Sequence, residues 1–570
     1  MLSACAQPVP TQIAFTPLVT IFPQATSLPA TASATGTPTD QPTPQPTPTA
    51  HPLTTLAASL TTAQRLGQLM IVSIDGTTVT SETRTLLKDL HPGGIVLLEK
   101  NITTPKGTAA FINQLQSEAR ALNMPPLFIA IDQEGGQVTR LREASGFTEF
   151  PSPMAMAATP GGCATAGAAQ LVLAREMHAI GINMNFAPLL DVNSNPANPV
   201  IGFRSFGSDP NRVTECAIAQ IDALLAGHII PVGKHFPGHG DTDLDSHVAL
   251  PVINQSRARL EAVEFVPFRA AITHKLPALM SAHIVFPLLD DTPNLPATLS
   301  AKVIQGLLRG EMHFDGVLFS DALTMDALPL SGNPANIAAA RALQAGVDVL
   351  LFGEGAATQR SAYTTTLAWL NDGRIPLARL DDALHRVLDL KTRYGVMTAQ
   401  PSDMSVLAQT VGTPANRAVA QNTAGGSITV VRDTAHLLPL KPGNDLVLLE
   451  NDYSRSSSAQ IEISGTRMLV SLDPSPAEIA RIVAATAGKR VIITTANIQR
   501  SPTRPRLVRA LLAAKRQLVV IAVGTPYDVL YFPEVTTYIV VYGISPPTVR
   551  AISELLAGKL VPVGHLPVNF

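Results

Sequence analysis

The chain has 570 residues, 46% of them hydrophobic and only 15% charged, which is enough apolar material for more than one core. A formal net charge of −2 leaves no basic field to hold nucleic acid, so a polyanionic partner is excluded. No run in the sequence reaches the roughly 18 consecutive apolar residues that a membrane-spanning helix needs.

The first five residues, Met1 to Cys5, read MLSAC and resemble the lipobox of bacterial lipoproteins, in which small residues precede a lipidated cysteine. The charged and apolar parts of a signal peptide do not precede Cys5, so the authentic start is expected upstream of Met1. Residues 6–52 are dominated by proline, threonine and alanine and carry almost no charge. Such a segment cannot bury enough surface to fold, and it reads as a stiff spacer. Together the two features predict an extracytoplasmic protein whose one contact with the membrane is a lipid anchor at Cys5. The other cysteines, Cys163 and Cys216, sit among small and apolar residues, and an odd, sparse set of three argues against a disulfide framework. Both are expected to be ordinary core cysteines.

From residue 53 to about 395 short apolar runs alternate with helical stretches. The runs are QLMIVSID (68–75), GIVLLE (94–99), PLFIAID (126–132), GINMNFAP (181–188), IIPVGKH (229–235), ALMSAHI (278–284), GVLFSD (316–321) and GVDVLLF (346–352). About eight strand–helix units of this length predict an α/β fold, a (β/α)8 TIM barrel. Many runs end in a polar group: Asp75, Glu99, Asp132, Lys234 with His235, His283 and Asp321. The carboxyl ends of barrel strands share one mouth, so these side chains are expected to converge there. From residue 396 to 570 a second series, from GSITVVR (426–432) to TYIVVYG (537–543), predicts a smaller α/β sandwich domain with a mostly parallel sheet. It has no phosphate-binding glycine motif and reads as supportive.

The stretch KHFPGHGDTDLDSH (234–247) follows the fifth strand and packs a lysine, three histidines and three aspartates into one loop broken by Pro237, Gly238 and Gly240. His235, His239, Asp241, Asp245 and His247 are types that could ligate a transition metal, although Lys234 would place a positive charge beside the cation. A solvated polar loop is the bland alternative. A third reading starts from Asp245-Ser246-His247, where a carboxylate two residues from an imidazole can fix its tautomer, raise its basicity and make it a proton donor and acceptor. The partner across the site would be Asp321, at a strand end, and not Asp326, which falls in the helix start that follows.

IDQEGGQVTR (131–140), NFAPLLDVNSNP (185–196), GFRSFGSDP (202–210), the loop above and FSDAL (319–323), in this order, resemble glycoside hydrolase family 3 in its β-N-acetylglucosaminidase branch. The resemblance covers residues 55–395, and more loosely the C-terminal domain. It implies a retaining hydrolase with no metal and no cofactor, acting on a small carbohydrate from peptidoglycan or chitin. Asp321 would be the nucleophile, and His247, oriented by Asp245, the acid/base in place of the usual second carboxylate. Asp132, Arg140, Arg204, Lys234 and His235 would hold the sugar, with Asp191 and His283 as buttresses. Related β-glucosidases usually carry their acid/base glutamate in the second domain and lack the Asp-Ser-His loop. A β-glucosidase, a phosphorylase of the same family and a non-catalytic sugar-binding protein are the competing readings.

Overall fold

The computed structural model describes residues 52–569 except 442 and 499–502, and all of these belong to one compact unit. Cys5 and the Pro/Thr-rich spacer lie outside the described residues. Eight short parallel strands come first: β1 (Met70–Ser73), β2 (Gly94–Leu97), β3 (Phe128–Ile131), β4 (Met184–Asn185), β5 (Ile230–Phe236), β6 (Ala278–Ser281), β7 (Val317–Phe319) and β8 (Leu350–Leu351). They pair in the order β7-β6-β5-β4-β3-β2-β1-β8, and a parallel bridge from Phe319 to Val349, just before β8, brings the two ends of the sheet together. All of these strand residues are buried. Strands that face side chains inward and helices outward must be apolar on both faces, which is why the sequence shows continuous runs and not alternation.

The helices carry the complementary pattern. In Leu377–Arg393, Leu380, Ala383, Leu384, Val387, Leu388 and Lys391 are buried at spacings of three and four, so one stripe meets the barrel. Each large apolar side chain buried in this way contributes about 1.5–3 kcal/mol. Thr61 starts the helix Thr62–Gln68 with a capping box closed by Gln64.

The second sheet contains β9 (Thr429–Asp433), β10 (Leu446–Glu450), β11 (Thr466–Leu469), β12 (Arg490–Thr495), β13 (Gln517–Ala522) and β14 (Thr537–Val540). Its order is β11-β10-β12-β13-β14-β9, with every pairing parallel except β14 with β9. Alternate residues of β13 enter different cores. Leu518, Val520 and Ala522 join a cluster that includes Met154, Ala155, Ala158 and Phe203 from the barrel half, whereas Val519 and Ile521 face a cluster with Ile552 and Leu555. One face of the second sheet therefore packs on barrel segments.

The two barrel cysteines are not the free core cysteines expected from the sequence. Cys163 and Cys216 form a disulfide with a Cα–Cα distance of 4.2 Å. It joins the neighbouring helices Gly162–Ala179 and Pro210–Ala226. Counted with Cys5 of the lipobox-like start the cysteines are odd in number, but the barrel brings the other two side by side.

Candidate active site

The loop 234–247 divides into two physically different halves. Residues 234–240 are fully buried. Gly240 must be a glycine, because a Cβ there would lie 1.6 Å from the carbonyl oxygen of Val192. Asp191, at 0% exposure, accepts from the backbone N–H of His239 (2.7 Å) and of His235 (3.1 Å) and pairs with His235 Nδ1 at 2.7 Å. Burial would raise its pKa, but the two histidines and the backbone N–H of His235 outweigh it and hold Asp191 below the usual carboxylate range. His239 turns inward between the Thr242 hydroxyl (3.0 Å) and the Ser246 hydroxyl (3.1 Å), and burial lowers its pKa to about 4, so it is neutral. The first half of the stretch is thus a tied-down frame and not a solvated polar loop.

The second half is open. Asp243, Leu244, His247 and Val248 are exposed, and the His247 side chain is 60% accessible. Asp245 Oδ1 accepts from the backbone N–H of His247 at 2.9 Å and lies 2.7 Å from its Nδ1. That hydrogen bond lowers Asp245 to a pKa of about 2 and raises His247 above its ordinary value. With Nδ1 taken, Nε2 is the nitrogen left for a substrate.

Asp321 follows β7 and accepts the backbone N–H of Ala322 at 2.7 Å. Burial alone would push its pKa up, but His235, His283, that N–H and His247 bring it to about 2. It is an anion at any working pH. His283 is buried; its Nε2 donates to the Ala322 carbonyl (3.1 Å) and its Nδ1 lies 2.9 Å from Thr298 Oγ1, so it supports the turn that presents Asp321.

A charged cluster lies deeper. Lys234 Nζ donates to Asp132 Oδ1 (2.8 Å) and lies 2.9 Å from Glu134 Oε1. Arg204 grips Glu134 with two bonds, Nε to Oε2 at 2.9 Å and Nη2 to Oε1 at 2.7 Å. Glu134 is 1% exposed; its burial opposes ionisation, yet Arg204 and Lys234 hold it at a pKa of about 2. The sequence reading missed this carboxylate, although it stands two residues after Asp132 in IDQEGG. Asn195 and Asn198 were missed as well: they donate to Thr242 O (3.2 Å) and His239 O (2.9 Å) and pin the buried half of the loop.

Arg140, Arg204, Asp245 and His247 line a cavity of about 800 Å³. Arg140 has no side-chain partner among the described residues, which leaves its guanidinium for a ligand. Other strand-end residues do not converge. Asp75 and Glu99 are largely exposed and pair with Lys100 (2.6 Å) and Arg142 (2.8 Å). Asp326 is the exposed cap of the short helix Ala327–Leu330, as expected. The metal reading finds no support: among the described residues no three His, Cys, Asp or Glu side chains gather as a ligand set. Asp241 bonds Gln255, His235 bonds Asp191, His239 bonds Thr242 and Ser246, and Asp245 and His247 bond each other.

The model of the glycosyl hydrolase family 3 N-terminal domain matches residues 61–390, the whole barrel. The chain belongs to glycosyl hydrolase family 3. It is 33% identical over 431 residues to beta-hexosaminidase A of Pseudoalteromonas piscicida, covering 70% of this chain and 71% of that one. It is 39% identical over 283 residues to a beta-hexosaminidase of Pseudomonas aeruginosa, covering 50% of this chain and 81% of that one. The solved family 3 beta-N-acetylglucosaminidase from Paenibacillus sp. str. FPU-7 superimposes with a TM-score of 0.82 at 33% identity, over 90% of this chain and 99% of that one.

Proposed function

We propose that this family 3 enzyme is a retaining, exo-acting β-N-acetylglucosaminidase that removes terminal β-linked N-acetylglucosamine from peptidoglycan- or chitin-derived saccharides through a glycosyl-aspartate. Hexosaminidase activity follows from its relatives, which are beta-hexosaminidases at 33–39% identity. The finer mechanism is supported by one arrangement: Asp245 Oδ1 lies 2.7 Å from Nδ1 of a His247 side chain that is 60% exposed, and Asp321 is a strand-end carboxylate whose charge reaches that ring. In the first step Asp321 Oδ bonds the anomeric carbon while the C–O bond to the leaving group breaks and the His247 imidazolium protonates the departing oxygen. In the second, neutral His247 takes a proton from water, whose oxygen bonds the anomeric carbon and releases Asp321. On this reading Asp132 and Arg140 hold sugar hydroxyls, and the bonds of Lys234 to Asp132 and of Arg204 to Glu134 support it.

The test is hydrolysis of 4-nitrophenyl β-N-acetylglucosaminide beside the matching β-glucoside, in phosphate and in phosphate-free buffer, with the first-formed anomer read by NMR. Turnover of the acetamido sugar alone, with β product in both buffers, supports the reading. Inverted product, or turnover that needs phosphate, defeats it. We also place the enzyme outside the cytoplasm on a lipid anchor at Cys5. The Cys163–Cys216 disulfide favours an oxidising compartment, and fatty-acid labelling that survives Cys5→Ala would refute the anchor.

A further inference from the structure

The segment 191–208, between β4 and the helix Pro210–Ala226, supplies parts to every corner of the site. Asp191 holds His235 and His239, Asn195 and Asn198 hold the acid/base loop, and Arg204 grips Glu134. Its own support comes from two sources. Within the barrel, Ser205 Oγ donates to the Asp191 carbonyl at 2.7 Å, and Asn193 N–H donates to the Gly207 carbonyl at 3.0 Å. The rest comes from the second sheet's layer. Phe203, directly before Arg204, is buried in that layer's core with Tyr527, Tyr538 and Tyr542. A Cβ on Gly202 would lie 3.1 Å from the methyl of Thr525, and one on Gly207 would lie 2.1 Å from the carbonyl oxygen of Pro567. Tyr527 sits in the short 3-10 turn Pro526–Tyr531 after β13 and is 2% exposed. Its phenol oxygen accepts from Asn193 Nδ2 at 3.2 Å and also hydrogen-bonds the Ser208 side chain.

The geometry points to Tyr527 as a positioning residue: from the second domain it ties Asn193 and Ser208, the two ends of the strap that presents Arg204 and braces the acid/base loop. The inference rests on the active-site assignment above. It gives the second domain a part in catalysis without placing any of its groups on the substrate. A strap held at both ends keeps Arg204 and the buried half of the loop in register, and losses of about 1 Å in such positioning are costly to rate.

Tyr527→Phe removes the hydroxyl and keeps the ring that fills the core. On 4-nitrophenyl β-N-acetylglucosaminide it is expected to raise KM about 3- to 10-fold with a smaller fall in kcat, the cost of an orphaned buried donor at Asn193 being spent on site geometry. Because the hydroxyl ties Ser208 as well as Asn193, the double variant with Asn193→Ala is expected to lose less than the product of the two single losses. Kinetics equal to the wild type overturn the inference, and so do losses that multiply in the double variant or that merely follow the fraction of unfolded protein in a thermal melt. Hydrogen exchange of segments 193–208 and 239–247 needs no substrate and separates this inference from the activity. Faster exchange in Tyr527→Phe is expected even if the acetamido sugar proves a poor substrate, and unchanged exchange overturns the tether.

Discussion

The molecule contains the same chemical pair twice, with both histidines in the stretch 234–247. His235 with Asp191 and His247 with Asp245 each bring Nδ1 to 2.7 Å from a carboxylate oxygen, but the side chains of the first pair are 7% and 0% exposed and those of the second 60% and 33%. Buried, the pair is part of the scaffold: Asp191 takes two backbone N–H groups as well as the ring, so His235 cannot move without unmaking the turn. Exposed, the pair keeps a ring that can meet a substrate and exchange protons with water. Position decides between a strut and a tool, and the residue types alone do not.

Both histidines lie within electrostatic reach of one carboxylate, so the largest effect is expected there. Asp321→Asn should reduce kcat by about a thousandfold or more with little change in KM, since the bond it makes exists only along the reaction path. Residual activity within tenfold of the wild type would remove Asp321 from the nucleophile's role. His247→Ala should come next, costing about 10²–10⁴-fold on substrates with poor leaving groups and less on nitrophenyl glycosides, whose leaving group barely needs a proton. Its melting temperature should stay near that of the wild type. The buried pair should behave in the opposite way. Asp191→Ala strips a carboxylate from three N–H groups and is expected to destabilise folding by about 3–5 kcal/mol, read as a lower denaturation midpoint. Asp245→Ala should cost about 1 kcal/mol or less, as an exposed pair does. Equal stability losses at both positions would erase the distinction.

Sequence reasoning reached all eight barrel strands, because strands buried on both faces leave continuous apolar runs that short turns delimit, and it reached the six of the second sheet as well, although β11 at its edge is largely exposed. The Asp245–His247 hydrogen bond and the strand-end position of Asp321 were also legible, since both are local patterns. Contacts between distant segments were out of reach. Glu134 matters through Arg204, 70 residues away, and Asn198 through His239 across 41 residues. Asp75 and Glu99 sit at strand ends like Asp132, yet Lys100 and Arg142 draw them to the rim. The disulfide was hidden for the same reason, because only the packing of two helices brings Cys163 to Cys216.

The smallest expected effect tests the exposed pair most finely. The hydrogen bond from Asp245 raises His247 above its ordinary value of 6.5, while Asp245 and Asp321, both near 2, stay ionised through the working range. In the proposed mechanism protonated His247 expels the leaving group, so kcat/KM should be flat in mildly acidic solution and fall tenfold per pH unit once the pH exceeds the raised pKa. Asp245→Asn removes the charge that favours the imidazolium, and the alkaline limb should move to lower pH. The same change at Asp191 should leave the limb in place in whatever fraction folds, because His235 donates no proton to the leaving group. An Asp245→Asn enzyme that is slower but keeps the wild-type limb would mean that Asp245 only orients the ring, as Asp191 does for His235, and the two pairs would then differ in exposure alone.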